Sequence, residues 1–237
     1  MKIGDIKGIL FDKDGTLLKY EETWGPINRK AAFAAASQNE NLADKLLVST
    51  GYDLATKTVQ AGTILGAGNS EEIAQAWMMS GARLSEPDLI ELLDGIFTEA
   101  MQSAVPADNV GGVVRAFHGQ EYKLGVASSD NEQSIKVFLD SLGLTPFFGY
   151  TAGYNSGYGH KPEPGMFEGF CRKLKLEPSQ VAMIGDNPQD MEMARHANAG
   201  LCIAVLSGNG KIDDLKPLSD FILDDISKLP ELFGIFI

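Results

Sequence analysis

Short apolar runs alternate with longer amphipathic segments over the second half of the chain. The amphipathic segments have the length and apolar spacing of helices, and they cover residues 109–117, 132–142, 165–174 and 190–197. The apolar runs predict strands at residues 123–127, 150–152, 181–185, 201–205 and 221–223. Strands that alternate with helices of this length are joined by right-handed crossovers. The pattern therefore predicts a parallel sheet covered by helices on both faces.

The first apolar run lies at residues 6–12 (IKGILFD) and predicts another strand of this sheet, because alone it could not bury its side chains. Between about residues 21 and 104 the pattern becomes helical and rich in Ala, Leu, Glu and Met. Within it, residues 51–69 are rich in glycine and threonine and predict a loop or a short hairpin. We expect an α/β, Rossmann-like core formed by residues 1–17 and 104–237, with an all-helical domain inserted at residues 18–103.

The composition is that of an ordinary globular protein, with 44% hydrophobic and 22% charged residues among 237. The net charge is −12 and lysine and arginine form no cluster, which disfavours nucleic-acid and membrane-surface partners. An anionic small molecule stays possible as a substrate, provided that the site supplies its own cation.

The N-terminal segment lacks the pattern of a signal peptide, and no apolar run approaches the roughly 20 residues of a membrane span. Cys171 and Cys202 lie in different kinds of segment, and neither has a nearby Cys or His at metal-ligand spacing. We expect two reduced thiols in a cytoplasmic protein.

Polar residues gather where strands of the predicted sheet end and in one loop before a helix. Ligands of such sheets bind beyond the carboxyl ends of the strands. The carboxylate and hydroxyl oxygens of these residues can hold a hard cation, and a lysine ammonium group and a serine hydroxyl can hold a phosphoryl group. The segments are DKDGT at residues 12–16, SSD at 128–130, HKPEP at 160–164 and DNPQD at 186–190.

Helix capping is the alternative explanation, because Asp and Ser often cap the helix that follows a strand. For Asp186 or Ser128 alone, capping would be the better interpretation. It explains Asp12 less well, because an unpaired carboxylate at the buried end of an apolar strand is costly without a cation. Capping also does not explain why all four segments occur together.

The segments DKDGT and GDNPQD, Ser128 after an apolar strand, and Lys161 in KPEP resemble the four motifs of the haloacid dehalogenase superfamily. The resemblance extends from residue 9 to about residue 206, and the helical insert stands where that family carries its C1 cap. It implies that Asp12 is the nucleophile that attacks phosphorus. It implies that Asp14 protonates the leaving oxygen and then activates water.

The resemblance also implies a bound Mg²⁺, with Asp12, the backbone carbonyl of Asp14, and Asp186 as its ligands. Asp190 is expected outside this set, where it orients a metal-bound water or Lys161. The phosphoryl group is expected to contact Thr16, Ser128, Ser129 and Lys161, with Ser128 preferred over Ser129.

Several positions refine these expectations. Asp14 disfavours two other activities of the family. Its dehalogenases have an aromatic residue at this position and its phosphonate hydrolases have a small one, and neither would supply this acid. Lys13 replaces an apolar residue of the family pattern, and we expect its side chain to point away from the site and assign it no function. We expect His160 in a loop and His196 on a helix face, both outside catalysis. Trp24, Arg29 and Lys30 are expected to be packing and solvated residues, with one cation reaching the substrate as a lesser alternative.

The sequence thus predicts a phosphatase similar to phosphoglycolate phosphatases, acting on a small phosphorylated metabolite such as phosphoglycolate or a sugar phosphate. A phosphosugar mutase of the β-phosphoglucomutase type is the alternative, since it shares these motifs. A non-catalytic binding protein on the same fold is disfavoured, because the nucleophile and the metal carboxylates are present. We expect a monomer or a homodimer.

Overall fold

A parallel sheet of six strands lies at the centre of the computed structural model, which describes residues 3–236. In chain order the strands of this region are β1 (Gly8–Phe11), β2 (Tyr52–Asp53), β3 (Thr58–Val59), β4 (Lys123–Ala127), β5 (Phe148–Ala152), β6 (Val181–Gly185), β7 (Leu201–Val205) and β8 (Phe221–Leu223). The strand order of the large sheet is β5-β4-β1-β6-β7-β8, and all its pairs are parallel. The predicted α/β fold with a parallel sheet is confirmed.

Helices cover both faces of this sheet and build most of the insert. They are α1 (Tyr20–Ala35), α2 (Glu40–Ser49), α3 (Ile64–Ala67), α4 (Ser70–Ser80), α5 (Glu86–Ala100), α6 (Val110–Gly119), α7 (Glu132–Ser141), α8 (Gly165–Leu174), α9 (Pro188–His196), α10 (Ile212–Leu215) and α11 (Leu229–Leu232). Each of these helices is too short or too polar to cross a lipid bilayer.

Strand β1 is buried at every position because β4 and β6 flank it and helices cover both faces. A strand in this position has no solvent-facing side, which explains its unbroken apolar sequence GILF. Gly125 of β4 is needed for close packing, since a Cβ there would lie 2.5 Å from the Phe170 side chain of α8. One apolar cluster lies between the sheet and α8 and α9. Cys171 and Cys202 belong to it as free thiols, and burial raises the pKa of each to about 11.

The insert between β1 and α6 contains α1 to α5 and the antiparallel hairpin of β2 and β3, as the glycine-rich segment predicted. A second apolar cluster continues from the other face of the sheet into this insert, and it includes Phe11, Trp24, Leu93 and Val126. Helix α5 packs against α7 of the core. The insert is therefore attached to the core by buried apolar side chains as well as by its two chain connections.

Most predicted boundaries agree with the structure to within one or two residues. The clearest difference is the helix predicted at residues 190–197, which begins at Pro188. Asn187 precedes that proline, and its backbone N–H donates to Asp190 Oδ2 at 3.0 Å. A proline in the first turn after a polar cap is typical of a helix start, so the sequence contained the signal.

Candidate active site at the carboxyl edge of the sheet

The central strands place three carboxylates together. Asp12 follows β1 directly, and its backbone N–H donates to Ile184 O of β6 at 2.8 Å. Asp186 follows β6, and Asp190 lies in the first turn of α9. Asp12, Asp186 and Asp190 are buried, and each offers an oxygen atom within 4.8 Å of the others. The sequence analysis predicted that Asp12 and Asp186 lie at this edge, and the structure places them there.

Lys161 lies between two of these carboxylates. Its Nζ donates to Asp12 Oδ1 at 2.6 Å and to Asp190 Oδ1 at 2.6 Å. Burial alone would lower the pKa of Lys161, but the two carboxylates outweigh it and raise that pKa above its usual value. The ammonium group therefore stays charged at the centre of the site.

The negative charge of the three clustered carboxylates is nevertheless larger than the positive charge of Lys161 beside them. Burial, together with Asp190 and Asp14, raises the pKa of Asp12 to about 7 although Lys161 opposes the shift. Burial and the neighbouring Asp12 raise the pKa of Asp186 well above its usual value. A divalent cation would remove this excess, and buried carboxylate oxygens are the ligands that a hard cation such as Mg²⁺ prefers. The donor set therefore fits Mg²⁺, and Asp190, which accepts from Lys161, lies beside the two carboxylates expected as ligands.

Asp14 is held by three side chains. Lys13 Nζ and Trp24 Nε1 donate to its Oδ1 at 2.5 and 2.7 Å, and Ser128 Oγ donates to its Oδ2 at 3.1 Å. Trp24 belongs to α1, so the insert contributes directly to the position of this carboxylate. An acid or base fixed in this way at the edge of a cavity is suited to proton transfer.

The expectation that the Lys13 side chain points away from the site was wrong. Its side chain is fully buried and contacts Asp14, Asp130 Oδ2 at 3.1 Å and Met101 Sδ at 3.4 Å. Its Nζ also lies 5.3 Å from the centre of the Trp24 ring. Burial would lower the pKa of Lys13, but Asp14 and Asp130 raise it above its usual value. Asp14 and Asp130 follow neighbouring strands, and the lysine side chain lies buried between their carboxylates.

The predicted phosphate contacts occupy different positions. Ser128 is fully buried, and its Oγ also accepts from the backbone N–H of Asp130 at 3.1 Å. Ser129 lines the cavity described below. Thr16 is fully buried away from the cavity wall, and its Oγ1 has no hydrogen-bond partner within residues 3–236. The contacts of all three with a phosphoryl group stay predictions.

A cavity opens between this edge of the sheet and the insert. The empty space within it and at its open mouth amounts to about 610 Å³. The core contributes the three carboxylates, Lys161 and their neighbours. The wall from the insert consists of Tyr20, Trp24, Asn28, Leu65, Gly66, Ala67, Gly68, Asn69, Ser70, Ile73 and Phe97.

The remaining candidates lie outside the cavity. His160 is half-exposed in a loop, and His196 is hydrogen-bonded through Nδ1 to Pro162 O at 2.9 Å. Lys30 pairs with Glu99 at 2.8 Å on the surface, and Arg29 is exposed. Trp24 is different, because it lines the cavity and contacts Asp14 instead of only packing.

Asn28 was missed by the sequence analysis. It lies one turn after Trp24 on the buried face of α1, among apolar neighbours such as Ile27 and Ala31. An amide on a mostly apolar helix face was a signal available in the sequence, since buried polar groups normally need a partner.

Comparison with known proteins places the chain in a family. Residues 6–198 match the family model for haloacid dehalogenase-like hydrolases. The pyrophosphatase PpaX of Listeria monocytogenes is 31% identical over 125 residues, which is 52% of this chain and 56% of that protein. The chain thus spans about half the length of these curated relatives. The phosphoglycolate phosphatase of Rhodospirillum rubrum is 23% identical over 231 residues, covering 96% of this chain and 91% of that one.

Two solved structures share the fold over nearly the whole chain. A predicted phosphoglycolate phosphatase from Haemophilus somnus has a TM-score of 0.72 and 21% identity, with 96% of this chain and 98% of that chain covered. CbbY from Rhodobacter sphaeroides, solved in complex with phosphate, has a TM-score of 0.71 and 18% identity, with 94% and 96% covered. The family model spans well over half of the sequence, and the chain belongs to the haloacid dehalogenase-like hydrolases.

Proposed function

We propose that this chain is a Mg²⁺-dependent phosphatase that hydrolyses a small phosphate monoester through a phosphorylated Asp12. One observation carries the proposal. Asp12 and Lys161 are paired at the buried edge of the sheet, with Asp186 and Asp190 beside them and Asp14 at the wall of the same cavity. That arrangement supports a carboxylate nucleophile, a cation for the phosphoryl group and a separate proton donor in one site.

The reaction has two displacements at phosphorus. In the first, an oxygen of Asp12 forms a bond to phosphorus as the bond to the ester oxygen breaks, and Asp14 gives its proton to that leaving oxygen. In the second, Asp14 takes a proton from water. The water oxygen then bonds to phosphorus, the bond to Asp12 breaks, and inorganic phosphate leaves with Asp12 restored.

Asp14 can serve both steps because its carboxylate is fixed. Trp24 and Lys13 hold one oxygen, and Ser128 reaches the other. Lys161 lies at hydrogen-bond distance from the nucleophile, so its charge is next to the phosphoryl group during transfer. Ser128 or Ser129, and Thr16, are proposed as further contacts of the phosphoryl oxygens.

Asp12, Asp186 and the backbone carbonyl of Asp14 are the proposed Mg²⁺ ligands, with Asp190 next to them. When bound, the ion supplies positive charge beside the phosphoryl oxygens. The excess of buried carboxylates over ammonium groups supports this assignment.

The insert is proposed to act as a lid formed by residues 18–103 over a core of residues 1–17 and 104–237. Its loop reaches the core where Asn209 Nδ2 and Asn187 Nδ2 donate to Gly66 O at 3.2 and 3.4 Å. A lid closed over this edge of the sheet would admit a small organic phosphate and exclude a folded phosphoprotein. The relatives named above make phosphoglycolate and pyrophosphate reasonable members of a first substrate panel.

The test is phosphate release from a panel of esters by the purified full chain with Mg²⁺, compared with Asp12→Asn. Release by the wild type that disappears in Asp12→Asn supports the proposal. Equal release by both proteins would refute it. A strict need for a sugar bisphosphate as activator, with isomerised sugar phosphate as the product, would favour the mutase alternative.

A further inference from the structure

The wall of the cavity that faces away from the carboxylates carries no positive charge. Among the lining residues in the described part of the chain, Lys161 is the single Lys, Arg or His, and it is already paired with Asp12 and Asp190. Lys13 is buried beneath the site and is paired with Asp14 and Asp130. By contrast, the lining includes several carboxylates: Asp12, Asp14, Asp130, Asp186 and Asp190.

A second anionic group on the substrate would therefore lie in this cavity without a counter-charge. Placing a carboxylate or a second phosphate there would desolvate it beside like charges, which is strongly unfavourable. Arg29 and Lys30 do not relieve this, because both are exposed outside the cavity and Lys30 is paired with Glu99.

Asn28 supplies the second, independent observation. Its side chain lines the cavity and the residue is only 2% exposed. Its Nδ2 has no hydrogen-bond partner within residues 3–236. A buried N–H group without a partner is costly, so an acceptor in the bound substrate would remove a penalty present in the free protein.

The other buried amides of the cavity wall are already engaged. Asn69 Oδ1 accepts from the backbone N–H groups of Glu71 and Glu72 at the start of α4. Asn187 Nδ2 donates to Gly66 O and to Asn209 Oδ1. Asn28 thus differs from Asn69 and Asn187 in having no structural hydrogen bond that explains its burial.

Asn28 lies on the same helix as a residue that contacts the proposed acid. It follows Trp24 by one helical turn, about 6 Å along the axis of α1. Trp24 donates to Asp14, which is the proposed acid for the leaving oxygen. Asn28 therefore lines the cavity one helical turn from the residue that holds the proposed acid.

We infer that the substrate is a phosphate monoester of an uncharged, oxygen-bearing alcohol, such as a polyol or a sugar, with one of its oxygens accepting from Asn28 Nδ2. The inference rests on the proposed phosphatase function and narrows its substrate class. It separates polyol and sugar phosphates from phosphorylated acids, bisphosphates and pyrophosphate. Tyr20, Trp24 and Phe97 provide apolar surface for the carbon skeleton of such a compound.

The experiment compares kcat/KM for three esters of similar size with the full chain and Mg²⁺. Glycerol phosphate has two neutral hydroxyl groups, phosphoglycerate has one hydroxyl group and a carboxylate in place of the other, and propyl phosphate has neither. Glycerol phosphate is expected to exceed phosphoglycerate by at least about a hundredfold. It is expected to exceed propyl phosphate by about tenfold, the effect of one satisfied hydrogen bond.

Variants of Asn28 then test the contact itself. In Asn28→Ala and in Asn28→Leu, which keeps apolar bulk, the ratio of kcat/KM between glycerol phosphate and propyl phosphate should fall about tenfold. This ratio does not depend on the fraction of protein that is folded. Asn41→Ala is the matched control, because Asn41 is exposed on α2 and outside the cavity, and it should retain the wild-type ratio.

The outcomes separate this inference from the proposed function. Phosphoglycerate turned over as well as glycerol phosphate, or an unchanged ratio in both Asn28 variants, would overturn the inference. In either case, hydrolysis of p-nitrophenyl phosphate that is lost in Asp12→Asn would leave the phosphatase proposal standing. A wild-type protein inactive on p-nitrophenyl phosphate and on all three esters would overturn both.

Discussion

Replacement of Lys13 by methionine tests the buried charge network beneath the site. Lys13 is fully buried, and its Nζ lies 2.5 Å from Asp14 Oδ1 and 3.1 Å from Asp130 Oδ2. A methionine side chain is similar in length to that of lysine but carries no charge. The variant would leave two carboxylates close together without their shared cation.

The expected cost is large for a single substitution. Breaking a buried ion pair by removing one partner costs about 3–5 kcal/mol, out of a total free energy of unfolding of about 5–15 kcal/mol for a typical domain. Asp130 is the more sensitive partner, since its side chain is 3% exposed and that of Asp14 is 18% exposed. Lys13→Met should therefore lower the free energy of unfolding by about 3–5 kcal/mol.

Three further variants make this prediction specific. Lys30→Met removes a cation from an exposed pair with Glu99 at 2.8 Å, and it should cost less than about 1 kcal/mol. Adding Asp130→Asn to Lys13→Met removes the more buried of the two uncompensated charges, so the double variant should cost less than the sum of the two single variants by about 1–3 kcal/mol. Urea unfolding followed by circular dichroism measures the wild type, the three single variants including Asp130→Asn alone, and the double variant. If Lys13→Met and Lys30→Met were equally stable, the role assigned to the buried network would be wrong.

Three other predictions concern catalysis. Asp14→Asn should slow hydrolysis of alkyl phosphates far more than that of p-nitrophenyl phosphate, whose leaving group needs little proton help; equal losses would mean that Asp14 only supports the backbone. Excess chelator should stop turnover and added Mg²⁺ should restore it without zinc, whereas full activity in chelator would exclude the proposed metal site. Replacing residues 18–103 by a short linker should spare some p-nitrophenyl phosphate hydrolysis and abolish selectivity among natural esters, and neither form should prefer phosphopeptides; retained selectivity would contradict the lid.

The sheet and its functional edge were predictable because they depend on local patterns and one general rule. Apolar runs alternating with helical segments indicate a parallel sheet, and the carboxyl ends of its strands meet at one edge. The residues after β1 and β6 could therefore be brought together from sequence alone. The structure agrees, with Asp12 and Asp186 in one buried cluster.

The surroundings of Asp14 were not predictable in the same way. Lys13 follows Asp12 along the chain, and alternation along a strand suggests that it points away from the site. Its actual position depends on Asp130, which follows a different strand, and on Met101 at the end of the insert. Such a contact requires the packing of three distant segments, which no local pattern specifies.

The wall of the cavity depends on how the insert packs on the core. Trp24 and Asn28 belong to an amphipathic helix. The sequence indicates that one face of this helix is buried, but it does not indicate which part of the protein covers that face. That face borders the site because α5 packs against α7 and the loop around Gly66 meets Asn187 and Asn209. Asn28 is a buried polar residue within this face, and the cavity that it lines is formed only when the insert packs on the core.

Direct detection of the phosphorylated chain is the measurement closest to the central claim. Asp14→Asn mixed with p-nitrophenyl phosphate and Mg²⁺ should accumulate the intermediate, because the leaving group needs no acid while the attacking water still needs a base. After an acid quench, peptide mass analysis should find the phosphoryl group on Asp12, and Asp12→Asn should carry none. A phosphoryl group on another residue, or an Asp12→Asn protein that keeps more than about a thousandth of wild-type activity, would contradict the account.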